Sequence, residues 1–410
     1  MNHKLILFLL IISSCSITRY SSTDFASQYQ NLYIKPAYRC YIYSTDSASV
    51  LYQFDQNGVL FKRDANNKFQ SEISITYLIY KDARSNELLD SGSTIIQSGY
   101  DSLSNVIQGK INLKMGGGIS YLVIKSRDIN RQQEHIFESV IDNRIKGNCY
   151  QYNITDNFGQ ELISHNIPIG SSINLIPPQG TNNLTVRCYF DEFPFALPPF
   201  SNFPPALFDL HSDSSYQLNL ADMEGISFNR KGIYYFQDDT MSTSGFTVIC
   251  TDEDFPVFTS TNQLIESLRY LTTRKEYENL RRSTDQKRAI DDFWLEKAGN
   301  NERGRKLIRV YYGRASDANL HFTSFMEGWK TDRGMIYIIF GPPSTVYKTV
   351  DTETWTYRYN QGLPACQFVF RKMLNPFTAN DYLMQRSELL QRPWFIAVDT
   401  WRAGRIAGDE

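Results

Sequence analysis

Along the first 250 residues the apolar positions fall in short alternating runs, the period of a half-buried strand. The clearest is Ile73-Ser74-Ile75-Thr76-Tyr77-Leu78-Ile79-Tyr80. Companion runs cover 39–43, 49–54, 93–97, 110–113 and 120–126, with turn signals at Asn57-Gly58 and Gly116-Gly117-Gly118. This spacing predicts an antiparallel β-sandwich of Ig-like type over 31–145. A second set of runs, at 148–154, 172–176, 183–190, 215–218, 232–236 and 245–250, predicts a second sandwich over 146–255. Phe193-Pro194-Phe195-Ala196-Leu197-Pro198-Pro199-Phe200, continuing to Phe203-Pro204-Pro205, lacks the backbone donors of a central strand. It reads as an extended crossing loop, either packed back on its own sandwich or offered to a partner.

The period changes near Phe258. Thr259-Ser260 caps a helix with Leu264, Leu268 and Leu271 on one stripe. Arg274 to Arg282 is a charged stretch that reads as a solvated helix face. Ser283-Thr284-Asp285-Gln286 opens a helix carrying Ile290, Phe293 and Trp294, and Glu302 to Met326 forms another, with Tyr311, Ala315, Ala318 and Phe322 on a shared side. The chain then reaches Gly328-Trp329-Lys330-Thr331-Asp332-Arg333-Gly334, the apolar run Met335 to Phe340, and Gly341-Pro342-Pro343, which read as loop, strand and turn. Gly328 is expected to stop the preceding helix in a left-handed conformation and Gly334 to turn the chain. Trp329 locks the loop onto the helices. Thr331 and Asp332 bond its backbone, and Arg333 pairs with Asp332 or a helix-end carbonyl. Further strands are expected at 344–348, 353–359 and 366–371, with Trp355 and Tyr357 on one face and Thr354 and Thr356 on the other. A short helix over 381–390 and a weakly ordered tail complete an α+β unit over 258–410.

The N-terminus changes the picture. Met1-Asn2-His3-Lys4 is basic, Leu5 to Ile12 is apolar but too short to cross a bilayer, and Ile12-Ser13-Ser14-Cys15 resembles a lipobox. Residues 1–14 are therefore expected to be a lipoprotein signal peptide, Cys15 the lipidated residue, and 15–30 a Ser/Thr-rich membrane tether. Ser16, with no acidic run behind it, suggests the outer membrane, on its periplasmic side rather than the cell surface. A net charge of −2 implies no general attraction to nucleic acid, and 26 Tyr and 26 Phe favour strands. Cys40, Cys149, Cys188, Cys250 and Cys366 contain no CxxC and read as buried thiols, with a Cys188–Cys250 bridge left open.

The corner and its surroundings resemble the GWxTD-domain family of envelope proteins in Bacteroidota. The resemblance rests on Phe293-Trp294, Asn301-Glu302, Tyr312-Gly313-Arg314, Ala318-Asn319, Phe322, the GWKTDRG stretch, Gly341-Pro342-Pro343 and Glu353-Thr354-Trp355-Thr356-Tyr357. It implies a fold and an envelope location over about 260–410 and brings no reaction with it. Catalytic chemistry has little foothold. The four histidines after the leader, His135, His165, His211 and His321, have no metal-ligand spacing, and there is no GxSxG elbow or P-loop. His321 reads as a helix-surface residue rather than the partner of Asp332. Asp351 and Glu353 read as solvated carboxylates rather than a glycosidase pair. No cofactor or metal is expected. The sequence therefore suggests a non-catalytic lipoprotein that binds envelope proteins, such as an outer-membrane β-barrel or other lipoproteins. The alternatives are a glycan-binding module and an enzyme with a site near the corner.

Overall fold

The computed structural model describes residues 23–30, 33–64, 66–100, 105–205, 208–222, 225–358 and 365–408. The signal peptide and Cys15 lie outside them. The first part is built from β1 (Ala37–Ile42), β2 (Ser47–Asp55), β3 (Lys62–Arg63), β4 (Phe69–Tyr80), β5 (Leu88–Gly99), β6 (Val106–Lys114), β7 (Ile119–Asp128) and β8 (Gln133–Asp142). One antiparallel sheet runs β1-β2-β6. The other runs β3-β4-β7-β8, with β5 on the free edge of β4. Alternation puts Val50 and Phe54 of one sheet and Ile73, Ile75, Leu122 and Ile124 of the other into a single apolar core. The Ile73–Tyr80 run is the last eight residues of β4. Strand β8 was not legible, because His135, Glu134 and Glu138 break its apolar pattern.

The second part holds β9 (Asn153–Thr155), β10 (Asn166–Pro168), β11 (Ser172–Ile176), β12 (Asn183–Tyr189), β13 (Ser214–Asn219), β14 (Ile226–Ser227), β15 (Gly232–Gln237) and β16 (Phe246–Thr251). A five-stranded sheet, β10-β16-β15-β12-β13, and a three-stranded one, β14-β11-β9, share a core that includes Tyr152, Val186, Phe236 and Val248. Among the described residues only β10 pairs in parallel, with β16. All five cysteines in the described residues are free, Cys188 and Cys250 among them.

The last part starts with α1 (Thr261–Ser267), α2 (Arg274–Arg282), α3 (Gln286–Ala298) and α4 (Asn301–Phe322). Ser260 and Gln263 form a capping box at α1, and Asp285 and Asn300 cap α3 and α4. Then the structure departs from expectation. Asp332–Phe340 is not a strand but a helix, α5, and all nine of its residues are buried. A continuous apolar run has no face to read, so periodicity cannot separate a buried helix from a buried strand. The local chemistry settles it: Thr331 caps the helix, and Gly341, at φ 82°, ends it.

Strands β17 (Thr345–Lys348), β18 (Thr352–Tyr357), β19 (Cys366–Lys372) and β20 (Tyr382–Met384) make one antiparallel sheet in that order. On β18 the alternation is as read: Glu353, Trp355 and Tyr357 face inward. The stretch over 381–390 is not a helix. It contributes β20 and a single turn at Glu388–Leu390, and the helix comes later, as α6 (Gln391–Arg402). Pro393 sits in its first turn, where a missing N–H costs nothing. The tail is docked: Ala407 is buried and its carbonyl accepts from Arg314 Nη2 at 2.9 Å.

Residues 24–29, within the stretch read as a tether, are packed into this last part. Phe25, Ala26 and Tyr29 belong to its core. Phe25 N donates to Val346 O at 2.8 Å and Val346 N to Asp24 Oδ1 at 2.9 Å, so the segment lies along the free edge of β17. Tyr337 of α5 donates to Tyr29 O at 2.9 Å. Aromatic spacing inside a Ser/Thr-rich stretch was the missed signal. A Phe25→Ala substitution removes a buried ring, for which about 3–5 kcal/mol is the usual cost. Urea unfolding followed by tryptophan fluorescence should show that loss; an unchanged midpoint would mean the segment is not part of the core.

Candidate functional site

The motif is a corner whose two glycines are demanded by contact, not by backbone twist. A Cβ on Gly328 would lie 1.9 Å from Ala318 O, and one on Gly334 would lie 1.9 Å from Gly328 O. Helix α4 ends at Phe322, so Gly328 does not cap it, and neither glycine has a positive φ. Gly328–Lys330 forms a single 3-10 turn pressed on α4. Trp329 is buried among Phe195, Phe258 and Tyr270, with ring centroids 5.2, 5.8 and 6.4 Å away. Its N–H donates to Asn319 Oδ1 and its carbonyl accepts from Tyr270 Oη at 2.9 Å. Thr331 Oγ1 donates to Gly328 O at 2.7 Å and accepts from Gly334 N at 3.1 Å, which joins the turn to α5.

The expected Asp332–Arg333 pairing does not form. Successive residues in a first helical turn point apart, and each finds another partner. Asp332 accepts from Arg386 Nη2 at 2.5 Å and from Met384 N at 2.7 Å. Burial raises its pKa, against the pull of Arg386. Arg333 donates from Nη1 to Glu353 Oε2 at 3.0 Å and from Nη2 to Asn380 O at 2.8 Å, and its guanidinium stacks 4.0 Å from the Tyr382 ring centroid. Tyr382 and Asn380 lie outside any pattern that marked the corner in sequence.

Glu353 is not the solvated carboxylate the sequence suggested; its exposure is 0%. Its other oxygen accepts from Trp355 Nε1 at 2.7 Å. Burial disfavours its charge, but Lys348 and Arg333 outweigh burial and hold its pKa below the ordinary value. Lys348 donates to Glu138 of β8 at 3.0 Å and to Gln28 at 2.6 Å. Burial opposes its charge too, yet Glu138, Tyr29 and Glu353 keep it protonated. A chain of charges thus runs from the first sheet pair, past the N-terminal segment, to the motif. A buried ion must be paired or it is very costly, so these groups specify one arrangement of three separate chain segments.

Gly341-Pro342-Pro343 closes the far end of α5. A Cβ on Gly341 would meet Arg314 Nη2 at 2.7 Å, and Gly341 O accepts from Tyr357 Oη at 2.8 Å. The Phe/Pro loop, far from packing only on its own sheets, lies over the corner: Phe195 on Trp329, Phe193 on Phe325 and Phe200 on Phe395. Ala196 N donates to Lys330 O, Arg386 Nη2 to Leu197 O, and Ser387 N to Pro199 O. His321, read as a helix-surface residue, is half-buried. It sits between the rings of Tyr29 and Tyr337.

A cavity of about 460 Å³ lies between β2, β6 and the loops at 156–173, and an open groove of about 640 Å³ lies on α2. Neither is lined by a residue of the corner. Among the described residues no three His, Cys, Asp or Glu side chains gather as metal ligands. The arrangement can hold segments together and keep charges fixed in a buried interior.

Replacing Glu353 with Gln should leave Arg333 buried without its counter-charge, at a cost of about 3–5 kcal/mol. Converting the pair to Arg333→Met with Glu353→Leu should recover much of that loss in denaturant unfolding. A single substitution costing under about 1 kcal/mol would contradict the account. The pH dependence follows from three histidines. Each half-buried, His135, His165 and His321 are pushed by desolvation from 6.5 down to about 3. Below pH 6.5 the unfolded chain takes up protons that the folded chain refuses, so stability is complete above 6.5 and falls as the pH drops toward 3. Melting temperature measured across that range should decline steadily, and a flat profile would contradict the burial of these rings.

Residues 232–403 match the family model of the GWxTD domain. The match begins on β15, ahead of the change of period at Phe258, and its interior includes the corner, the whole sheet β17–β20 and α6. Tyr235 of β15 packs 5.0 Å from Phe377, which ties that strand to the last part. No curated protein matches the chain.

Proposed function

With residues 232–403 identified as a GWxTD domain, we propose that the protein is a non-catalytic, lipid-anchored envelope component that works by holding protein partners. The observation that carries this reading is the internal use of the motif. Trp329, Thr331, Asp332 and Arg333 are each bonded or packed within the molecule, and α5 is entirely buried. Residues so placed shape a rigid body for others to grip; they do not turn over a substrate. No helix among the described residues is long and apolar enough to cross a membrane, so lipid on Cys15 would supply the attachment.

The docked N-terminal segment refines the picture. Between Cys15 and Asp24 stand eight residues, Ser16 to Thr23. At ~3.5 Å each they span at most about 28 Å. Under this proposal the GWxTD domain is held close to the bilayer, with the two β-rich parts extending from it, on the periplasmic face of the outer membrane of a Bacteroidota cell. The β-rich parts, each two sheets around one core, serve as Ig-like docking modules.

Photo-crosslinking in intact cells, followed by purification of the full chain in detergent, tests the reading. Specific envelope proteins should be captured, and Cys15→Ser should release the chain from the membrane fraction. A chain that is recovered alone, and stays in the membrane without Cys15, would overturn it.

A further inference from the structure

Helix α2 carries a feature that the proposed function leaves unused. Arg274, Tyr277, Glu278 and Arg281 follow one another at helical spacing on one face, with Arg282 beside them. Arg269, from the turn Leu268–Tyr270, completes the lining of the 640 Å³ groove. Its side chains are four guanidiniums, one phenol and one carboxylate. The carboxylate, Glu278, is bonded to Arg274 at 3.0 Å. The other acidic residue of the helix, Glu276, is turned away to Arg402, with both guanidinium nitrogens at 2.9 Å. Among the described residues no carboxylate lies within salt-bridge distance of Arg269, Arg281 or Arg282. Two of these cations are gathered by an aromatic ring: Arg269 and Arg281 lie 5.7 and 5.9 Å from the Tyr277 centroid.

A solvated face with alternating charges would pair its arginines with neighbouring carboxylates. Here one carboxylate, Glu278, holds Arg274 within the groove and the other, Glu276, is turned away to Arg402, so Arg269, Arg281 and Arg282 converge as an excess of positive charge, in a chain whose net charge is only −2. Guanidinium forks match the oxygen geometry of phosphate, and several in one groove suit a ligand bearing more than one phosphoryl group. We propose that this groove binds a polyanion through two or more phosphoryl oxygens, which could belong to a soluble phosphate compound or a phospholipid headgroup.

Calorimetric titration of the full chain with inorganic pyrophosphate and, separately, with monomeric dihexanoyl phosphatidic acid tests the site and its source. Saturable binding should appear with at least one of them and weaken as salt is raised. The double substitution Arg281→Ala with Arg282→Ala should weaken it at least tenfold, while Arg305→Ala with Arg309→Ala, on the exposed side of α4, should leave it unchanged. Preference for pyrophosphate would identify a soluble ligand, and preference for the lipid a headgroup. No binding of either probe, or equal affinity in both double variants, would overturn the proposal. Circular dichroism of each variant verifies that the fold is intact.

Discussion

The structure depends on burying a charged pair where an apolar core would be simpler. Arg333 and Glu353 sit at 3% and 0% exposure, joined at 3.0 Å, among the rings of Phe322, Trp355 and Tyr382. Such a pair adds little net stability over an apolar replacement, because desolvation cancels most of its attraction. What it adds is intolerance of misplacement. Glu353 must meet Trp355, Arg333 must meet Asn380 and Tyr382, and Lys348 must meet Glu138 from another part of the chain. Each partner is fixed by the next, so the sheet, the corner helix, the N-terminal segment and β8 have one way to come together.

Around that pair the corner works as a joint. Its carbonyls and rings are met from three directions. The N-terminal segment covers the edge of β17, the Phe/Pro loop covers Trp329, and Asn319 of α4 bonds Pro256 O on the approach from the second part. The first and second parts are also tied directly, by Arg39 donating to Leu162 O and Tyr152 O. These links join distant stretches of sequence, so the three parts are held as one body rather than as beads on a string. That favours a protein that presents fixed surfaces to others.

Much of the β-rich half was legible. Strands such as β4, β11 and β12 alternate on one buried face, and a period of two is hard to mistake. The aromatic face of β18 was legible for the same reason. The corner was visible as a rigid element, but its form was not. Met335 to Phe340 is buried all round and so carries no period, and the one local clue, Thr331 three residues before Gly334, was read as part of a loop. Partners were beyond reach in a different way. Nothing near Arg333 in sequence points to Glu353, Asn380 or Tyr382, and a glutamate between two threonines on a strand looks solvated until the sheet is seen to bury it. Docking of residues 24–29 was hidden by composition, since serine and threonine dominate the stretch and only three apolar side chains do the packing.

Native-state hydrogen exchange reads the central claim most directly. If the corner is the joint on which the last part is built, the amides of 333–341 and of Phe25 should exchange only when that part unfolds as a whole, all with the same free energy of opening. If the corner's amides instead exchange through a low-energy local opening while the β17–β20 sheet stays protected, the corner is a moving element and the architectural account is wrong.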